Sequence, residues 1–148
     1  MIKAFAARTI ANDPLQKFMF RVTIPGLPSG LGFQKVGGLT REVGVVEYLE
    51  GLYQYTHKLP GREKVGEVTL ERGAYATKEL ETLYKKVLTD PNIRSTIIIE
   101  ILDRFGEAKS TYKLAEAWVS KWEGSDLDAT SDDVAIEKLT VQFEYFLD

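Results

Sequence analysis

The chain has 148 residues, no cysteine and one histidine. It is long enough for one domain with a real core, and the missing cysteines exclude a disulfide scaffold, a thiolate metal site and a cysteine nucleophile. The formal charge is −3, from 19 basic and 22 acidic residues, so a whole-surface basic footprint for nucleic acid is absent.

Histidine is the side chain whose ordinary pKa lies near neutrality, and His57 is the single example. Acid–base catalysis would have to rest on it or on a strongly shifted carboxylate or lysine. No apolar run approaches the roughly 20 residues of a membrane helix. Met1 to Phe5 has no signal-peptide character, so a soluble chain is expected. The charge is polarised. Residues 1–74 carry ten bases and seven acids, and residues 75–148 carry nine and fifteen. The segment from Glu123 to Glu137, ends included, holds six acids and no base. Such polarity suits head-to-tail association.

Residues 1–15 show no clean period and end at Asp13-Pro14, which reads as an N-terminal arm. Phe18, Phe20, Val22 and Ile24 alternate with polar or flexible residues, the period of a half-buried strand. Pro25-Gly26 ends it, and Leu31 to Leu39 is a weaker strand closed by Gly37-Gly38. Val43 to Leu49 is a third strand and Val65 to Leu70 a fourth. Between them lies a connection, about residues 47–64, far longer than the usual two to five residues of a hairpin. It carries Tyr53, Tyr55 and a Pro60-Gly61 turn, which points to contact with another surface.

One segment, about residues 77–88, has helical spacing. Leu80, Leu83, Tyr84 and Val87 fall on one face, Thr77 is the expected N-cap, and Asp90-Pro91 stops it. Thr96 to Leu102, Thr111 to Trp122 and Asp133 to Leu147 read as strands. A change of apolar phase at Glu137-Lys138 predicts a bulge there. The sum is a mainly β chain, a barrel or two-layer sandwich of about seven strands with one helix and a long projecting hairpin loop.

Patterns that bear on chemistry are few. Asp126, Asp128, Thr130, Asp132 and Glu137 partly match a calcium loop. Position six is Ser131 instead of glycine and the flanks read as strands, so an acidic turn is preferred and no metal is expected. His57, Lys58, Arg62 and Lys64 form a small basic cluster, opposed by Glu63 and broken by Pro60 and Gly61. Glu67 and Glu71 are an ordinary surface pair. Trp118 and Trp122, four apart, are expected on one side of a strand in core or interface packing. No phosphate-binding glycine motif exists. No catalytic residue and no cofactor is therefore assigned.

The order of several short segments carries more. Phe18-Met19-Phe20-Arg21-Val22 is followed by Gly32-Phe33-Gln34-Lys35-Val36-Gly37-Gly38-Leu39, then Val46-Glu47-Tyr48-Leu49-Glu50-Gly51 and Lys58-Leu59-Pro60-Gly61-Arg62. Val68-Thr69-Leu70-Glu71-Arg72-Gly73, Ala117-Trp118-Val119-Ser120-Lys121-Trp122 and residues Leu127 to Glu137 complete the series. From about Asp13 to Tyr145 the chain resembles the tube protein of contractile phage tails and related injection systems, a family akin to the haemolysin-coregulated protein of type VI secretion.

The resemblance implies a single tail-tube domain over residues 1–148, with an arm and an inter-ring loop. It implies hexameric rings stacked into a hollow tube inside a sheath, with baseplate or initiator and terminator proteins as partners. The channel would pass DNA in a phage or carry effectors in an injection system, without specific binding and without membrane insertion. The particle would be a virion tail built in the bacterial cytoplasm, or an extracellular injection particle. Tyr48, Tyr53, Tyr55, His57, Lys58, Leu59, Pro60, Gly61 and Arg62 are the expected interface residues. Glu123, Asp126, Asp128, Asp132 and Asp133 are expected at the lumen or at a ring face, since a repulsive wall keeps phosphate from sticking. The alternatives are a secreted type VI tube protein, or a small β-barrel binding module or enzyme.

Overall fold

A computed structural model describes residues 20–27, 33–73, 78–103, 105–130 and 134–147. The strands are β1 (Phe20–Thr23), β2 (Lys35–Gly37), β3 (Arg41–Tyr48), β4 (His57–Val65) and β5 (Val68–Gly73). Helix α1 (Glu79–Thr89) follows, then β6 (Ser95–Leu102), β7 (Ala108–Glu123), β8 (Ile136–Gln142) and β9 (Tyr145–Leu147). Seven strands form one antiparallel sheet in the order β1-β6-β7-β8-β5-β2, with β9 also paired to β7, while β3 and β4 pair only with each other. The fold is a mainly β sandwich with one helix, open at its described edges β1 and β2.

Strand β7 is the spine. Its first half pairs with β6 and β9 and its second half with β8. Of its three irregularities, two let sixteen residues bend in this way, the third lying at Lys109 near its start. One lies between Leu114 and Ala117, where Glu116 takes a left-handed φ of 54°. The other lies at Ser120. The bulge expected at Glu137-Lys138 is absent, because β8 runs in unbroken register against β5 from Ile136 to Val141. The inward series of β8 is Glu137, Leu139 and Val141. A charged residue occupies an inward place, which leaves Val134 and Ile136 outside.

Alternation builds the core. Val68 and Leu70 of β5, Ile97 and Ile99 of β6, and Leu139 and Val141 of β8 are almost wholly shielded from water. Helix α1 adds Leu80, fully buried, with Leu83, Tyr84 and Val87 packed beside it. The expected apolar face is therefore the one used. The N-cap position is Lys78, in left-handed conformation and without a side-chain cap. Thr77, the expected cap, lies outside the described residues, as do the arm and Phe18.

Candidate assembly interface

The connection expected as a loop over residues 47–64 is mostly strand. β4 begins at His57 and runs through Pro60 and Gly61, which therefore make no turn. Each strand of a two-stranded ribbon is an edge, so proline costs it no essential ladder bond. Only residues 49–56 connect the two strands. Charge sets the register. Glu42 stands opposite Lys64 and Glu47 opposite Lys58, favourable cross-strand pairs, and Arg41 pairs with Glu63. The basic cluster of Lys58, Arg62 and Lys64 is thus largely matched by acids within the ribbon.

The root of the ribbon is clamped to the sheet. Gly38 has φ +86°, and a Cβ there would sit 2.1 Å from the Glu67 carbonyl oxygen. Only glycine permits that approach. Arg41 also lies over the Phe146 ring, 5.0 Å from its centre.

Beyond the root the ribbon leaves the body. At about 3.3 Å per residue, the eight residues of β3 reach roughly 26 Å. Val43, Val45, Val46 and Leu59 are exposed along it, and Leu52 at the tip is 97% exposed. The tip has a small cluster of its own. Tyr48 stacks on His57 at 4.9 Å, and Tyr53 and Tyr55 meet the same ring edge-on at 5.0 and 5.3 Å. The Glu50 carboxylate stands 3.8 Å from His57 Nε2. These aromatics hold one another and touch none of the main core. A two-stranded ribbon is at best marginally stable alone, and its exposed apolar side chains make it the candidate contact surface.

The acidic candidates are dispersed. Glu123 pairs with Lys121 at 2.9 Å, and the Lys121 hydrogen bond and charge, with help from Lys138, hold its carboxyl below the usual range. Asp128 Oδ1 accepts from the Thr130 hydroxyl and amide, which lowers its pKa likewise. Asp126 is exposed. Asp132 and Asp133 lie outside the described residues. Glu137 is buried and does not join the other calcium-pattern residues. It accepts from Arg72 at 3.4 Å and from Trp122 Nε1 at 3.1 Å. Among the described residues no three metal-ligating side chains cluster.

Arg72 is the residue that sequence reasoning missed. It is fully buried, in phase with Val68 and Leu70, and also bonds Glu79 of α1 at 3.1 Å. The signal was a charge on the inward phase of two neighbouring strands. Glu67 and Glu71 are separately employed: Glu67 accepts from Gln142, and Glu71 stands opposite Lys138. The extra residue at Ser120 places Trp118 and Trp122 on opposite faces, against expectation. Trp122 reaches Glu137, while Arg94 lies over Trp118.

No curated protein matches the chain in sequence. The family model for the T4-like virus tail tube protein gp19 matches residues 16–147. In fold the chain is similar to one in the PVC sheath–tube complex of an extracellular contractile injection system, in its extended state. The TM-score is 0.85 at 22% identity, covering 98% of this chain and 97% of that one. A chain of the anti-feeding prophage tube-terminating cap gives 0.83 at 20% identity, over 98% and 94%. A type six secretion system protein gives 0.52 at 14% identity, over 85% and 79%. The family match takes in the sheet, the helix and the projecting ribbon together, and this chain belongs to the T4-like tail tube protein family.

Proposed function

We propose that this chain is the structural subunit of the inner tube of a contractile tail. Copies form hexameric rings, and the rings stack into a tube whose channel conducts DNA in a phage or carries effectors in an injection particle. The sheath surrounds it, and baseplate and terminator proteins close its ends. The chain's role is architectural and no catalysis is assigned to it.

The observation that carries this reading is the β3–β4 ribbon, which exposes Val43, Val45, Val46, Leu52 and Leu59 among its paired charges and is unpacked along most of its length, in a tail tube family member. Residues 47–64 act as the inter-ring element, with Tyr48, Tyr53, Tyr55, Leu59 and their neighbours as contacts. A contact of this kind does not close on itself, so it propagates as a filament. The described sheet edges β1 and β2 join neighbours within a ring, which turns an aggregation hazard into an assembly surface. The acid surplus of residues 75–148 keeps a passing phosphate backbone from binding.

Negative-stain microscopy of the purified chain at rising concentration tests the reading, with and without a tube-initiating baseplate component. Rings and then tubes of uniform width are expected. Monomer alone at every concentration and in both mixtures would defeat it.

A further inference from the structure

Helix α1 does not seal the sheet beneath it. A cleft of about 270 Å³ opens between α1, the end of β1 and the β6–β7 pair. Ile24, Leu83, Val87, Ile97, Ala117 and Trp118 give it an apolar lining. Two cations stand at its rim, Lys86 on the helix and Arg94 over the Trp118 ring. Neither has a carboxylate partner among the described residues. The opening is larger than the roughly 150 Å³ apolar cavity that takes up benzene, so a leucine side chain fits with room to settle.

The same chain carries the complementary shape elsewhere. Asp126-Leu127-Asp128 projects from the connection after β7, and Leu127 is 91% exposed. An apolar knob between two carboxylates mirrors an apolar hole beneath two cations. Other segments match less well. Residues 1–19 carry Lys3, Arg8 and Lys17 against only Asp13, the wrong sign for this rim. Leu52 has one acid nearby, Glu50, which stands 3.8 Å from His57.

We propose that Asp126-Leu127-Asp128 of one copy docks into the α1 cleft of another, Leu127 against Trp118 and the two carboxylates against Lys86 and Arg94. This names one self-contact of the tube proposed above and rests on that reading. Asp126 and Asp128 then belong to a subunit face and not to the lumen. Knob and hole lie on different surfaces, so the contact is heterologous and leaves each copy with one of each free.

The chain has no cysteine, so single cysteines report proximity cleanly. Full-length Leu127→Cys is mixed with full-length Ile93→Cys, at the cleft rim, and oxidised mildly. The mixed dimer forms at least tenfold faster than with Phe105→Cys, an exposed control. Lys86→Glu in the Ile93→Cys chain cuts that rate at least tenfold, and Asp128→Lys in the other chain restores it. Equal rates for Leu127→Cys and Phe105→Cys overturn the docking. So does preferential capture of Ile93→Cys by Phe5→Cys in the arm or by Leu52→Cys at the ribbon tip. Tube formation by the wild-type chain, with no 127–93 link between the two cysteine variants, sinks this contact and leaves the tube reading standing. A 127–93 link in a chain that never forms tubes does the reverse.

Discussion

Arg72 and Glu137 face each other directly across β5 and β8, and both are sealed from water. Trp122 and Glu79 complete the group, so one buried charge pair ties the adjacent strands β5 and β8 to β7 and to the start of α1. Two ions out of water are tolerable only while each satisfies the other.

Removing either partner should therefore be costly. Arg72→Ala is expected to lose about 3–5 kcal/mol of stability, because it leaves the buried Glu137 carboxylate without its cation, and Glu137→Ala less, because Arg72 keeps Glu79. The double change Arg72→Met with Glu137→Leu should regain most of that loss. Trp122 Nε1 and Glu79 are still left without their partners, so recovery stays incomplete. Guanidinium unfolding of the four proteins measures it. A double variant that regains none of the single-variant loss would show that the pair is not coupled.

Gly38 gives a sharper steric test. Gly38→Ala places a methyl 2.1 Å from the Glu67 carbonyl, on a residue with φ +86°. The left-handed backbone alone costs about 1–2 kcal/mol for a non-glycine residue, and the collision adds to it. Gly51→Ala meets nothing within 4 Å and should stay within about 0.5 kcal/mol of wild type. Thermal melts of the two variants separate the cases. Equal melting points would mean the ribbon root is not clamped at Gly38.

Much of this architecture was legible from period alone. Val68, Leu70, Leu139 and Val141 announced their strands, and Leu80, Leu83, Tyr84 and Val87 announced the helix face. What failed had physical causes. Pro60 and Gly61 are turn residues by composition, yet a two-stranded ribbon has only edges and accommodates both. Glu137 was counted as polar and outward, which forced an apparent phase change. Its partner Arg72 comes from 65 residues away, and no local pattern announces such a pairing. The aromatics of the connection pointed to a contact element, a reading the proposed function keeps, while its strand content was not legible, because Pro60 and Gly61 read as a turn.

Asp103 sets a local pH dependence. Desolvation pushes its carboxyl up, but the Glu107 and Phe105 amides, with Lys109, together outweigh that and hold it below the usual range. A carboxyl lowered in the folded state contributes stability that is complete above its unfolded pKa of about 3.9 and fades as pH falls through the lower folded value. The Phe105 and Glu107 amides both donate to Asp103 Oδ1, at 2.8 and 2.9 Å. Their protection from hydrogen exchange, corrected for intrinsic rate, should fall with Asp103 protonation below pH 4 and be low at all pH in Asp103→Ala. Protection that persists in Asp103→Ala would place the turn's stability elsewhere.

Shortening the ribbon separates folding from assembly. Tyr48 and His57 are already cross-strand partners, so residues 49–56 can be replaced by Asn-Gly, whose backbone suits a two-residue hairpin turn. The deleted segment includes Leu49, Leu52, Tyr53 and Tyr55, all exposed, and contributes nothing to the main core. Shorter connections also lower the entropy cost of closure, and only slowly with length. The body should therefore unfold within about 0.5 kcal/mol of wild type, the usual range for surface changes. A deletion extending to residue 61 is a different experiment, since it removes half of β4 and its register with β3. If the tip reaches a neighbouring ring, the shortened chain keeps its circular dichroism and melting point but sediments without stacks, at concentrations where wild type forms tubes. Normal tube growth by the shortened chain would remove the tip from the inter-ring contact. Loss of the folded body would show instead that the Tyr48–Tyr53–Tyr55–His57 cluster is part of the fold's own stability.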